Sequence, residues 1–152
     1  MATIATLRRR RAAAAEPPAT FEEDLLAYLG GSLPFPAYPG HVPQLGAVPC
    51  YSFGLVAESP YYLLAGPSAG LTRLTYQFDC WSTDRLEAAR MQISLRALLH
   101  GFRGPMGSSY VSSSRLESRV VLYEPNVPGT DQGTYHEAVE YRLIVRDPVF
   151  TF

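Results

Sequence analysis

The chain has 152 residues, of which 47% are hydrophobic and 18% charged, a size and composition typical of one globular domain with its own core. It is too apolar for a disordered chain, and no segment approaches the roughly 20 apolar residues that a membrane-spanning helix needs. Its two cysteines, Cys50 and Cys80, are too few for a disulfide-rich scaffold or a four-thiolate zinc site. We expect both to be reduced, half-buried thiols.

The formal net charge of −1 is unevenly distributed along the chain. Four consecutive arginines, Arg8–Arg11, give residues 1–19 a net charge of +3, whereas nine arginines and thirteen acidic residues leave the remainder at −4. We interpret residues 1–19 as a basic N-terminal arm and residues 20–152 as a single α+β domain. The arm is either flexible or a short alanine-rich helix, and it either orders against an acidic neighbour or stays frayed.

A helix is predicted directly after the double proline at residues 17–18. Thr20 and Glu23 have the spacing of a capping box, in which each side chain bonds a free backbone N–H of the other residue. The two glycines at residues 30–31 end this helix. The prolines that follow indicate a loop over residues 31–49 that is neither helix nor central strand.

Two strands with alternating hydrophobicity are predicted next, over residues 50–57 and 71–81. One face of each is apolar and the other polar, which is typical of a sheet with one buried face. The predicted core-facing residues are Tyr51, Phe53 and Leu55 in the first strand and Leu74, Tyr76, Phe78 and Cys80 in the second.

A long second helix is predicted to begin at a cap among residues 82–84 and to end near His100. At 100° per residue its apolar side chains form two stripes, although a surface helix needs only one. Two stripes indicate two buried sides, one against the sheet and the other against the first helix or a neighbouring subunit. The stripes are Leu86, Ala89, Ile93 and Ala97 on one side, and Met91, Leu95, Leu98, Leu99 and Phe102 on the other.

The last third predicts two more strands, over residues 115–123 and 134–146. In the first of them Leu116, Val120 and Leu122 are in phase and are expected to face the core. The ten-residue loop between the strands exceeds the usual hairpin length and is suited to contacting a partner. The order of elements, αββαββ, predicts an α+β domain with an antiparallel four-stranded sheet and two helices packed on one face.

Motifs for catalysis have little support in this chain. The pentapeptide at residues 66–70 matches the G-x-S-x-G pattern around Ser68, but the alternation after it predicts a strand where that chemistry needs a helix. His41, His100 and His136 show no metal-ligand spacing. We expect no enzyme activity, no cofactor and no metal site.

Several short motifs occur in a characteristic order: PCY at residues 49–51, YQFDCWS at 76–82, RLES at 115–118, YEP at 123–125 and YRL at 141–143. In this order, over about residues 20–147, the chain resembles the tail terminator, or tail completion, proteins of long-tailed bacteriophages. The basic arm extends beyond the usual pattern of that family.

The resemblance implies a structural virion protein that forms a ring, usually of six copies, on the last ring of the tail tube. Its implied partners are other copies of itself, the tail tube protein and the head-tail connector or stopper protein. DNA would cross the lumen without sequence-specific binding, and no membrane is involved. The protein would be made in the host cytoplasm and reside in the tail-neck region of the virion.

Two alternatives remain open: a head-completion or connector neck protein, and a nucleic-acid-binding adaptor that uses the arginine arm. For the ring interpretation, we expect particular side chains at subunit or partner interfaces. These are Arg8, Arg9, Arg10, Arg11, Trp81, Leu86, Ile93, Glu124, Asn126 and Asp131.

Overall fold

The computed structural model describes residues 19–42, 48–62, 68–125 and 133–146. Two helices and six strands occur in the order αβββαβββ. The helices are α1 (Phe21–Gly30) and α2 (Arg85–Leu99); the strands are β1 (Ala37–Pro39), β2 (Cys50–Tyr62), β3 (Ser68–Ser82), β4 (Gly104–Met106), β5 (Ser109–Pro125) and β6 (Gly133–Arg146).

The strands form one mixed sheet in the order β1-β2-β3-β6-β5-β4, with β1 parallel to β2 and every other pair antiparallel. The prediction of an antiparallel four-stranded sheet was therefore wrong. The two strands it lacked are three-residue edge strands. Strand β1 lies within the proline-rich segment, where proline is tolerated because an edge strand leaves one row of N–H groups unpaired.

Helix α1 begins at the predicted capping box, which is confirmed. The Thr20 hydroxyl accepts a hydrogen bond from the Glu23 N–H at 3.3 Å, and the Glu23 carboxylate accepts one from the Thr20 N–H at 2.7 Å. Helix α2 is capped by Asp84, whose carboxylate accepts from the Leu86 N–H at 2.9 Å, and its C-cap is His100. The start of α1 and both ends of α2 therefore lie where the local sequence signals predict them.

The core lies between one face of the sheet and the two helices. The alternation predicted for β3 is confirmed, and it aligns with β6 through register pairs such as Phe78 with Val139 and Tyr76 with Tyr141. Helix α1 packs beside α2, since the Tyr28 hydroxyl donates to the Leu98 carbonyl at 3.1 Å. The largest buried helix side chains are Leu25, Leu29, Met91, Leu95 and Leu99.

Strand β5 changes face part-way along its length. A bulge between Leu116 and Ser118 inserts one residue, so that Leu116 lies against Tyr141 on the core face whereas Val120 and Leu122 lie on the opposite, helix-free face. Val120 and Leu122 are 50% and 46% exposed. Their predicted core position was wrong because the bulge breaks the period-two pattern.

The β2–β3 and β5–β6 hairpins project from opposite ends of the sheet. Strand β3 pairs with β6 from Leu71 against Arg146 to Ser82 against Tyr135, so the two turns lie at opposite ends of this ladder. The β5–β6 arm is defined here as residues 118–125 of β5 with residues 133–140 of β6. Among the described residues, no helix is both long enough and apolar enough to cross a membrane.

Candidate interaction surfaces

Ser68 does not stand in a hydrolase-type turn. It begins strand β3, which continues to Ser82, whereas the nucleophile of that motif lies where a strand turns sharply into a helix. Residues 66–67 of the pentapeptide lie outside the described residues. Over the described ranges, no group of three or more His, Cys, Asp or Glu side chains is placed to hold a metal ion.

The two cysteines are free and fully buried, rather than half-buried as predicted. Cys50 is in register with Trp81, and Tyr51 with Cys80, so the two cysteine side chains lie on opposite faces of the sheet. Burial raises the pKa of both thiols, and for Cys80 the nearby carboxylates of Glu137 and Asp79 raise it further. Both thiols are therefore held in the protonated, unreactive form.

Trp81 is the centre of a polar and aromatic cluster on the helix-free face. Its indole stacks on the His136 ring, with centroids 4.0 Å apart and planes 12° from parallel. The indole N–H donates to the Ser52 hydroxyl at 3.0 Å. Asp79 bonds His136 Nε2 and also accepts from the Gln77 amide at 3.0 Å. The His136 ring therefore covers one face of the indole, and the hydrogen bond to Ser52 fixes its orientation.

A cavity of about 430 Å³ opens beside this cluster and contains two of the predicted interface residues, Trp81 and Glu124. The Glu124 carboxylate lies 3.8 Å from His136 Nδ1. With the Asp79 carboxylate also in the wall, the cavity suits a cationic or hydrogen-donating group. The alternation of polar residues in β3 predicted a wet face here, but Gly40, His41, Val42 and Val48, which line the other side of the cavity, carried no sequence signal.

Helix α2 leaves one of its two apolar stripes uncovered. The stripe with Met91, Leu95 and Leu99 is buried, whereas Leu86 and Ile93 are 67% and 61% exposed. We call the residues Leu86, Ala89, Ile93 and Ala97 the α2 stripe. Two buried sides were predicted for this helix, and within the single chain only one of them is buried.

The β5–β6 arm carries a second exposed apolar surface. Val120 and Leu122 are exposed on the helix-free face, and Val121 and Tyr123 are exposed on the other face. The Tyr123 ring packs against Tyr135 with centroids 4.9 Å apart. An apolar strand exposed on both faces is unusual for a monomer and typical of a protein-protein interface.

The β2–β3 hairpin carries a third such surface, at the other end of the sheet. Val56 is the extra residue of a bulge between Leu55 and Ala57 in β2. Leu55 and Val56 are exposed, together with Tyr61 and Tyr62 near the turn.

Leu55 is in register with Tyr76 and therefore lies on the predicted face of the sheet, but it is exposed rather than buried in the core. Beyond the bulge the pattern shifts, so that Glu58 lies opposite the core-facing Leu74.

Six of the predicted interface residues lie outside the described residues. They are Arg8, Arg9, Arg10, Arg11, Asn126 and Asp131.

Neither the models of known protein families nor the curated proteins compared with this chain gave a match.

Proposed function

We propose that this chain is a structural ring protein of the tail-terminator type. In this proposal its copies associate into a closed ring that caps a bacteriophage tail tube and meets the head-side connector. The ring works through shape and contact surfaces, and the chain catalyses no reaction.

The observation that supports this proposal most is the pair of apolar surfaces on opposite sides of one chain. The α2 stripe lies on the helix side of the sheet, and Val120 and Leu122 lie on the helix-free side. A ring needs a heterologous interface, in which one patch meets a different patch on the next copy. Two separate exposed patches on opposite sides meet that requirement.

The two hairpins add a reason to favour a neck position. Because they project from opposite ends of the sheet, a ring of these chains has two different rims. In the proposal one rim contacts the tube protein and the other the connector. Their exposed side chains, such as Tyr62 at one end and Tyr123 at the other, are of the aromatic type enriched at interfaces.

The experiment is native mass spectrometry and electron microscopy of the full chain, alone and added to polymerising tail tube protein. We expect a closed oligomer of about six copies on tube ends, and tubes that stop growing when the chain is added. Binding to the connector but never to tube ends would instead assign the head-completion alternative. A chain that stays monomeric and binds neither the tail tube protein nor the connector would overturn the proposal.

A further inference from the structure

The α2 stripe is bordered by positive charge. Arg85, Arg90 and Arg96 are all exposed on α2, and Arg90 lies 40° from Leu86 around the helix at 100° per residue. The one acidic residue of the helix, Glu87, is half-buried and accepts a hydrogen bond from the Ser82 hydroxyl at 2.8 Å. The stripe is thus apolar along its centre and basic at its borders.

The helix-free face of the β5–β6 arm has the complementary pattern. Its two exposed apolar residues, Val120 and Leu122, lie between the acidic residues Glu140 and Glu124. Glu140 is opposite Ser118, whose hydroxyl donates to it at 3.1 Å, and the Glu124 side chain is 56% exposed. This face of the arm is therefore apolar in the middle and acidic at both ends.

The two surfaces also match in length. Residues 118–124 of an antiparallel strand span about 20 Å at roughly 3.4 Å per residue. Residues 86–97 of a helix span about 16 Å at roughly 1.5 Å per residue. A strand of this length laid along the helix brings an acidic residue near each end of the arginine border.

We propose that the β5–β6 arm of one copy lies on the α2 stripe of the next copy. This inference rests on the self-association in the proposed function and names the two surfaces that carry it. Because the stripe and the arm face lie on opposite sides of the sheet, the contact repeats from copy to copy in one direction.

Charge repulsion also disfavours the two symmetric pairings, stripe with stripe and arm with arm. Pairing two stripes places Arg90 of one copy near the arginines of the other, and pairing two arms places Glu124 and Glu140 near their own counterparts. Like charges brought together across an interface disfavour the wrong partner. The heterologous contact is the pairing that joins opposite charges.

A double-cysteine variant tests the contact directly. Ile93→Cys with Leu122→Cys in the full chain is expected to give, under mild oxidation, covalent chains of two and more copies up to the ring size. Each single variant is the matched control and is expected to give no such series. The native cysteines are fully buried and do not interfere.

A mixing experiment tests whether the contact joins the arm of one copy to the stripe of another. Ile93→Asp damages only the stripe and Leu122→Asp only the arm, and since both positions are exposed, each variant should melt near the wild-type temperature. Each alone is expected to self-associate at least tenfold more weakly than wild type. An equal mixture retains one intact contact and is expected to form one-to-one dimers that grow no further.

Different results would overturn the arm-to-stripe contact and the proposed ring function. Wild-type rings that give no cross-link between positions 93 and 122, or a mixture without dimers, would overturn this pairing and leave the ring in place. A wild-type chain that stays monomeric at high concentration and in the presence of tubes would overturn the proposed function, and this inference with it.

Discussion

Asp24 joins helix α1 to the turn between β4 and β5. Its carboxylate accepts hydrogen bonds from the hydroxyls of Ser108 at 2.8 Å and Ser109 at 2.7 Å. Burial by itself raises the pKa of this carboxyl, but the hydrogen bonds from the side chains and backbone of Ser109 and Ser108 outweigh it and hold the pKa below its ordinary value. The fold therefore favours the ionised form.

Because the folded-state pKa of Asp24 is lowered, its stabilisation is fully present above the ordinary pKa near 4 and is lost as the pH falls through the folded-state value. We expect Asp24→Asn to lower the free energy of unfolding by about 1–3 kcal/mol at pH 7 and by less at pH 3. Urea unfolding at the two pH values measures this. Glu58→Gln, at an exposed position, is the control, and an equal loss at both pH values for Asp24→Asn would contradict the argument.

At the scale of the elements, sequence reasoning succeeded where a signal is local. The capping box of α1 and the alternation in β3 depend on residues three or fewer positions apart, and both are present in the structure. The face of Val120 and Leu122 depends instead on the bulge at Glu117, three and five residues earlier. Nothing in the residue types there marks it, because Glu117 and Ser118 suit a wet strand in either phase.

The candidate surfaces show the same division. The two stripes of α2 were visible in the sequence, but the choice of the buried one depends on long-range packing. Helix α1 lies on the side of Leu98 and Phe102 through its Tyr28, whose ring is 5.1 Å from that of Phe102, which leaves Leu86 and Ile93 uncovered. The Trp81 and His136 stack joins residues 55 positions apart on neighbouring strands, beyond the reach of any local pattern.

The two sides of α2 predict opposite effects of truncation. Leu95 is completely buried, so Leu95→Ala leaves a cavity and is expected to lower the free energy of unfolding by about 2–5 kcal/mol. Ile93→Ala, the matched control two residues away, is expected to change it by less than about 0.5 kcal/mol in the monomer and to weaken self-association. Urea unfolding of dilute protein and native mass at high concentration separate the two effects. Similar destabilisation by both variants would show that the stripe is buried within the chain.

At the scale of the whole molecule, the charge distribution bears on DNA. Residues 20–152 carry a net charge of −4, so six copies in the proposed ring would bring about −24 around its channel before the arms are counted. In that proposal the net charge would repel the phosphate backbone, which suits a channel that DNA crosses freely. The four arginines of residues 8–11 are the concentrated positive charge that opposes this field.

Titration of a short duplex, followed by fluorescence anisotropy, tests which charge dominates. We expect the full chain and its Arg8→Ala, Arg9→Ala, Arg10→Ala, Arg11→Ala variant to bind DNA equally weakly, with Kd above about 10 μM at physiological salt. Four phosphate contacts opposed by an acidic domain give little more than non-specific affinity. Submicromolar binding that falls steeply with salt and disappears in the variant would favour a nucleic-acid-binding adaptor, because only the arm differs between the two proteins.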